Sequence, residues 1–195
     1  MSNPQKQGFL ATVKDYLTTV DHKKIAILYL IFGGLFFAMG GIEAMLIRIQ
    51  LAVPNNDFVT AGLFNEIITM HGTTMIFLAA MPLLFAFMNA TVPLQIGARD
   101  VAFPFLNALG LWLFVFGGIF LNLSWLLGGA PDAGWTSYAS LSLDSPGHGI
   151  DFYALGLQIS GAGTLIAGIN FLATIINMRA PGMTYMRMPL MTWTT

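Results

Sequence analysis

Polar residues fill the first 24 positions of the chain, and apolar residues then take over in four long runs joined by short polar connections. The runs are Ile25 to Ile47, Ile67 to Met88, Val101 to Leu127 and Phe152 to Met178. Glu43 is the one charge in the first run, and the third and fourth carry none. A helix needs about 20 apolar residues to cross the hydrocarbon core of a bilayer, so each run is long enough. Strands of a membrane barrel would alternate apolar and polar positions in segments of about ten residues, and these runs do not alternate. Helices are the remaining way to satisfy every backbone polar group in lipid, which predicts an all-α membrane fold with four transmembrane helices. Glycines recur inside the runs (Gly33, Gly40, Gly117, Gly118, Gly163 among them), where they let backbones approach closely.

Composition strengthens the membrane reading. Hydrophobic residues make up 56% of the chain and charged residues 9%, whereas soluble domains carry about 25% charged residues. The net charge of −1 leaves no footprint for nucleic acid. With no cysteine, disulfides, thiolate metal sites and covalent haem attachment through C-x-x-C-H are excluded within the chain. Residues 1–24 (Lys6, Lys14, Asp15, Asp21, Lys23 and Lys24 among them) lack the apolar core of a signal peptide, so the N-terminus is expected to be retained.

Positive charge orients the spans. The N-terminal segment has four Lys, Arg99 follows the second span, and Arg179 and Arg187 follow the fourth; on the other side Arg48 stands alone, and the connection from Gly128 to Asp151 has only acidic charges. This asymmetry places the N-terminus and the 179–189 loop in the cytoplasm. His71 and Arg48 then fall toward the outer face and Asp100 toward the inner face.

Three positions carry candidate chemistry. His71 lies in an otherwise apolar span, where an ionisable group ligates, relays protons or pairs with a neighbour. Neutral imidazole is a strong iron ligand, so a flat apolar cofactor would account for it; the bland reading is a histidine hydrogen-bonded to the next helix. Arg48 can hold an electronegative group of such a cofactor, or snorkel to headgroups, or pair with Glu43. Asp100 opens the third span and reads as an inner-face cap unless polar residues continue inward from it. They do: Asn107 lies seven residues on, with Asn89 and Tyr29 at the inner ends of spans two and one, and Thr164 and Asn170 on span four. Uncharged amides and hydroxyls hold ordered water in a low-dielectric interior, which a proton path requires. His22 and His148 read as solvated or as meeting headgroups.

Several strings resemble a known family: MHGTTMIFLAAMP (Met70 to Pro82), NATVPLQIGARDVAFPFLN (Asn89 to Asn107), GAPDAGWTSY (Gly129 to Tyr138) and GINFLATIINMRAPGMT (Gly168 to Thr184). Together with DHKKIAILYL (Asp21 to Leu30) they resemble the N-terminal third of subunit I of the haem-copper terminal oxidases. The resemblance implies a bundle of about twelve helices of which these four are the first. It implies a low-spin haem, of the a type, beside a second haem and a copper that reduce dioxygen to water while protons are pumped. By the same resemblance, His71 is the outer-side axial ligand of the low-spin haem. Arg48 contacts that haem's formyl group, and Trp135 lies near its propionates. Asp100 stands at the mouth of the proton channel with Asn89 and Asn107 just inside, and Tyr29, Thr164 and Asn170 line it. Implied partners are the rest of subunit I, subunits II and III, membrane lipid, and cytochrome c as electron donor, all in the cell inner (plasma) membrane.

The pattern departs from the family at two places. Gln50 and Asn55 stand where many members place a glutamate and a glycine for a bound cation. Met39, Glu43, Leu63 and Glu66 stand where quinol-oxidising members place Arg, Asp, His and Gln around a ring, which favours cytochrome c over quinol. The ligands of copper and of the second haem are expected beyond residue 195, and Pro189 to Thr195 reads as the start of a fifth span. The competing readings are a quinol-oxidising relative and a four-helix transporter or channel subunit without redox chemistry, which would use the same Asp100 and asparagine string.

Overall fold

A computed structural model describes residues 8–195, so Lys6 and the rest of residues 1–7 lie outside the described residues. The elements in chain order are α1 (Phe9–Leu17), α2 (His22–Gln50), α3 (Ala61–Thr73), a π-helical stretch (Thr74–Ala80), α4 (Met81–Ile96), α5 (Pro104–Leu123), α6 (Ala139–Leu143), α7 (Gly149–Asn177), a 3₁₀ turn (Tyr185–Arg187) and α8 (Leu190–Thr194). There is no strand among the described residues. Among the described residues four helices are long and apolar enough to cross a membrane: α2, the continuous 36-residue run from Ala61 to Ile96, α5 and α7. The fold is all-α with four candidate spans.

Helix ends follow local chemistry more closely than hydropathy does. Asp21 caps α2 by accepting from the Lys23 amide at 2.8 Å, so the helix starts at His22 rather than at Ile25. Span two, expected over 67–88, extends from Ala61 to Ile96 and ends at Gly97, whose φ of +76° suits only glycine without strain. Span three, expected from Val101 to Leu127, is a helix only over Pro104–Leu123. Proline disfavours the helical region for the residue before it, so Phe103 is non-helical (φ −128°, ψ 81°) and residues 101–103 lead in as non-helical chain. At the other end the chain breaks into turns after Leu123 and passes Gly128 and Gly129, both at positive φ. Span four starts at Gly149 instead of Phe152 and ends at Asn177. The N-terminal segment, expected to be only polar, contains α1, tied to α2 by a Lys24 to Asp15 ion pair of 2.6 Å.

The 36-residue helix contains two prolines. A proline has no N–H and clashes with the carbonyl four residues back, here Leu78 for Pro82 and Asn89 for Pro93. The π-helical stretch immediately before Met81 widens the turns there and keeps the helix continuous past Pro82. Pro93 has a different resolution, described below.

Helix α2 packs along the α3–α4 run, and α5 pairs with α7. Between them lies a core of Ile25, Tyr29, Met70, Leu78, Leu111, Phe114 and Leu121. Close contact between α5 and α7 depends on Gly117, where a Cβ would meet the Ser160 amide nitrogen at 2.6 Å. Leu35, Phe37, Phe87, Phe116 and Leu172 instead point outward, as side chains facing lipid do.

Candidate functional site

His71 ends up facing α2. Gly40 makes this possible, because a Cβ there would lie 2.7 Å from Met75 Sδ and hold the helices apart. The imidazole Nδ1 comes to 2.9 Å from the Gly40 carbonyl. A carbonyl can only accept, so Nδ1 carries the proton and Nε2 keeps its lone pair. Metal-bound histidines have this arrangement: the second ring nitrogen donates to a fixed acceptor, which sets tautomer and ring orientation. A haem iron approaching Nε2 therefore fits the donor that the chain presents.

Trp135 is brought against α3 one residue after His71. It packs on Gly72, where a Cβ would be 3.1 Å from the Trp135 Cβ, and its ring lies 6.4 Å from that of Phe77. Two hydrogen bonds pin its loop: the Gly134 amide donates to Thr69 Oγ1 at 2.9 Å, and the Tyr153 hydroxyl donates to the Trp135 carbonyl. Arg48 is not in this cluster. It lies eight residues past Gly40 on α2, about 12 Å along the axis, exposed and with no ion pair among the described residues. Glu43 is buried next to Thr74 and does not pair with Arg48. Glu43 Oε2 and Thr74 Oγ1 are not joined by a hydrogen bond, and both atoms are buried without a partner among the described residues.

The polar string divides. Asn107 Nδ2 donates to Asn89 Oδ1 at 2.6 Å, and both residues are fully buried. Tyr29 is buried beside Gly110, one turn beyond Asn107, with its hydroxyl 3.6 Å from where a Gly110 Cβ would stand. Asp100 is half-buried at the foot of α5, and its Oδ1 accepts from the Val101 amide at 2.7 Å. Asn170 has another role: Oδ1 accepts from the Phe103 amide at 2.8 Å and Nδ2 donates to the Phe103 carbonyl at 3.1 Å. With Thr174, which accepts from the Ala102 amide at 2.8 Å, it clamps the non-helical lead into α5. Thr164 bonds within its own helix, to the Ser160 carbonyl at 3.2 Å, and lines a groove with Phe77 and Met81.

His22 corrects the solvated reading: it is buried, with Nδ1 2.7 Å from the Asn89 carbonyl. Pro93 explains this. It removes the amide that would have bonded to that carbonyl, and the His22 N–H takes its place. The signal in sequence was a proline four residues after a buried asparagine. His22 Nε2 and Asn107 Oδ1 remain buried acceptors without a donor among the described residues. His148 is exposed near Asp151, as expected. Gln50 closes the 50–59 loop, donating to the Asn56 carbonyl at 2.6 Å and accepting from the Val59 amide at 2.9 Å.

The family model described as cytochrome c and quinol oxidase polypeptide I matches residues 24–195. Over 181 residues the chain is 84% identical to cytochrome c oxidase subunit 1 of Bacillus subtilis (strain 168), covering 93% of this chain and 29% of that protein. It is 77% identical over 192 residues to cytochrome c oxidase subunit 1 of Bacillus sp. (strain PS3), covering 98% and 31%. Quinol oxidase subunit 1 of Bacillus subtilis (strain 168) is 54% identical over 183 residues, covering 93% and 28%. The chain spans about 30% of the length of these relatives.

Proposed function

The chain belongs to the cytochrome c and quinol oxidase polypeptide I family, and from that membership we propose that it forms part of the core subunit of a proton-pumping terminal oxidase fed by cytochrome c. In this reading His71 is an axial ligand of a low-spin haem of the a type, and Asp100 is the mouth of a proton channel. The ligands of the second haem and of copper lie outside residues 1–195. Family membership sets aside the transporter without redox chemistry.

The hydrogen bond from His71 Nδ1 to the Gly40 carbonyl carries the haem assignment. When bound, the haem supplies an iron that takes up and passes on one electron at a time. His71 presents Nε2 to it in a fixed orientation, and the bond behind the ring raises the basicity of that nitrogen. Trp135 is held over Gly72, on the same helical turn as His71. Arg48 offers a guanidinium, free of any protein carboxylate among the described residues, to a conjugated carbonyl at the haem edge.

On the inner side, Asp100 exchanges protons with the aqueous phase at its carboxylate. The Asn107–Asn89 pair lies inward, and its unmatched acceptor, with that of His22, suits ordered water, which needs polar partners of this kind. Asn170 and Thr174 fix the loop that aims Asp100. The inner face is cytoplasmic in this proposal: Lys14, Lys23, Lys24, Arg99, Arg179 and Arg187 all fall at that end of the helices. Electron delivery by cytochrome c is supported by the names of the 84% and 77% identical relatives, and by the absence of imidazole or cation at Met39, Glu43, Leu63 and Glu66. Glu66 is already engaged, accepting from the Ala130 amide at 3.3 Å. The working assembly would add the rest of subunit I, subunits II and III and lipid, in the plasma membrane.

The test is His71→Ala in the complete complex. Loss of the low-spin haem bands and their electron paramagnetic resonance signal, with the polypeptide still inserted, is expected. A normal low-spin spectrum would end the assignment. Reduction of the haem by reduced cytochrome c but not by a quinol checks the donor.

A further inference from the structure

At the end of α2 and α4 that carries Lys23, cytoplasmic in the orientation proposed above, lies an open groove of about 230 Å³. Ala26 and Ala90 leave it deep, Ile27, Leu30 and Phe87 form apolar walls, and Lys23 stands at its mouth as the one charged residue lining it among the described residues. From Lys23 to Leu30 the groove follows α2 for about 10 Å.

The level of the groove in the membrane follows from α1. Phe9, Leu10, Val13 and Leu17 fall on one side of that helix and are exposed, with Phe9 and Leu10 each 81% accessible, whereas Lys14 and Asp15 fall outside that arc. A short helix with one apolar and one charged face lies in the plane of the interface. Tyr16 packs against the core and Lys24 pairs with Asp15, so α1 is held at the start of α2, one turn from the groove mouth. Lys23 thus stands at the depth of lipid phosphates, and the groove runs from there into the acyl region. Lys24 is engaged by Asp15, whereas Lys23 makes no ion pair among the described residues. The neighbouring acid, Asp21, is taken up in capping the Lys23 amide.

We propose that this groove is a site for an anionic phospholipid of the cytoplasmic leaflet, with one acyl chain lying on Ile27, Leu30 and Phe87 and the phosphate on Lys23. The charge selects the lipid class: a zwitterionic headgroup would bring its own cation to the phosphate, whereas an anionic headgroup leaves its charge for Lys23 to neutralise. The site is independent of the haem and of Asp100.

The test places p-benzoylphenylalanine at Ile27 of the complete complex, in vesicles of mixed phosphatidylglycerol and phosphatidylcholine, with Leu35 as the reference position further into the membrane. The ratio of phosphatidylglycerol to phosphatidylcholine adducts at Ile27 should exceed the same ratio in the vesicle by about fivefold, the selectivity that one near-surface lysine confers. Adducts at Leu35 should follow the vesicle composition. The enrichment should vanish in Lys23→Gln and persist in Lys23→Arg. Cross-linking of Ile27 to polypeptide, a lipid ratio equal to the bulk, or enrichment that survives Lys23→Gln would each overturn the proposal.

Discussion

His22 and His71 both hand their Nδ1 proton to a backbone carbonyl, at Asn89 and Gly40, and the α2 positions they mark lie about 27 Å apart along the helix. That is close to the whole hydrocarbon thickness. The apolar neighbours of His71 made it conspicuous in the sequence. His22, flanked by Asp21, Lys23 and Lys24, looked solvated, because its burial depends on a contact 67 residues away. Arg48 is the complementary case: its sequence context is plain, but the described residues supply no partner to fix its side chain. Arg48→Met should move the haem absorption to shorter wavelength and lower the haem midpoint potential by about 60 mV, the one-electron equivalent of a charge-assisted hydrogen bond of about 1.4 kcal/mol. Arg48→Lys should restore part of this, since the charge stays but the planar fork is lost. An unchanged spectrum and potential in the Met variant would make Arg48 a headgroup residue.

Hydropathy located all four long helices but not where they stop, because caps and prolines set the ends and tertiary contacts hold them. The start of α5 shows this: Val101 and Ala102 are apolar enough for the span, yet Pro104 excludes Phe103 from the helix, and Asn170 and Thr174 satisfy the freed amides. Asn170 was legible as a buried polar residue but not as a clamp, since its partner is backbone. Asn89 and Asn107 were legible as polar residues inside the spans but not as a hydrogen-bonded pair, since the contact joins helices whose facing sides the sequence does not register. Pro93 and His22 form a repair within α4 that can be tested as a unit. His22→Leu strands the Asn89 carbonyl and should destabilise the complex by about 1–3 kcal/mol. Pro93→Ala returns an amide to that carbonyl, so the double variant should regain most of the loss. Thermal unfolding of the four complexes closes the cycle, and strict additivity would show that the two residues do not share that carbonyl.

Across the whole molecule, the proposed haem ligand and proton mouth lie toward opposite faces, so protons must be moved against the membrane potential, at about 2.3 kcal/mol per charge and 100 mV. Asp100→Asn keeps the shape and removes the exchangeable carboxylate. In vesicles, turnover should fall steeply and pumping should stop while haem content is unchanged; normal pumping would reduce Asp100 to a cap. One 36-residue helix carries both His71 and Asn89, so the angular phase between them is set by everything in between, including the π-helical stretch. Each α-helical residue turns the chain by about 100°, and a single deletion in α5 would therefore swing everything beyond it onto the wrong face. A π-helical turn already holds one residue more than an α-helical one. Deleting Ile76, which lies within that stretch and is partly exposed, should let it relax to α-helix with both flanks still in phase and with a kink where Pro82 then meets the carbonyl four residues back. The Thr74–Ala80 stretch is then a vernier: a residue can be withdrawn there and the assembled complex should keep its low-spin haem spectrum, whereas the same deletion at Phe116 should abolish assembly.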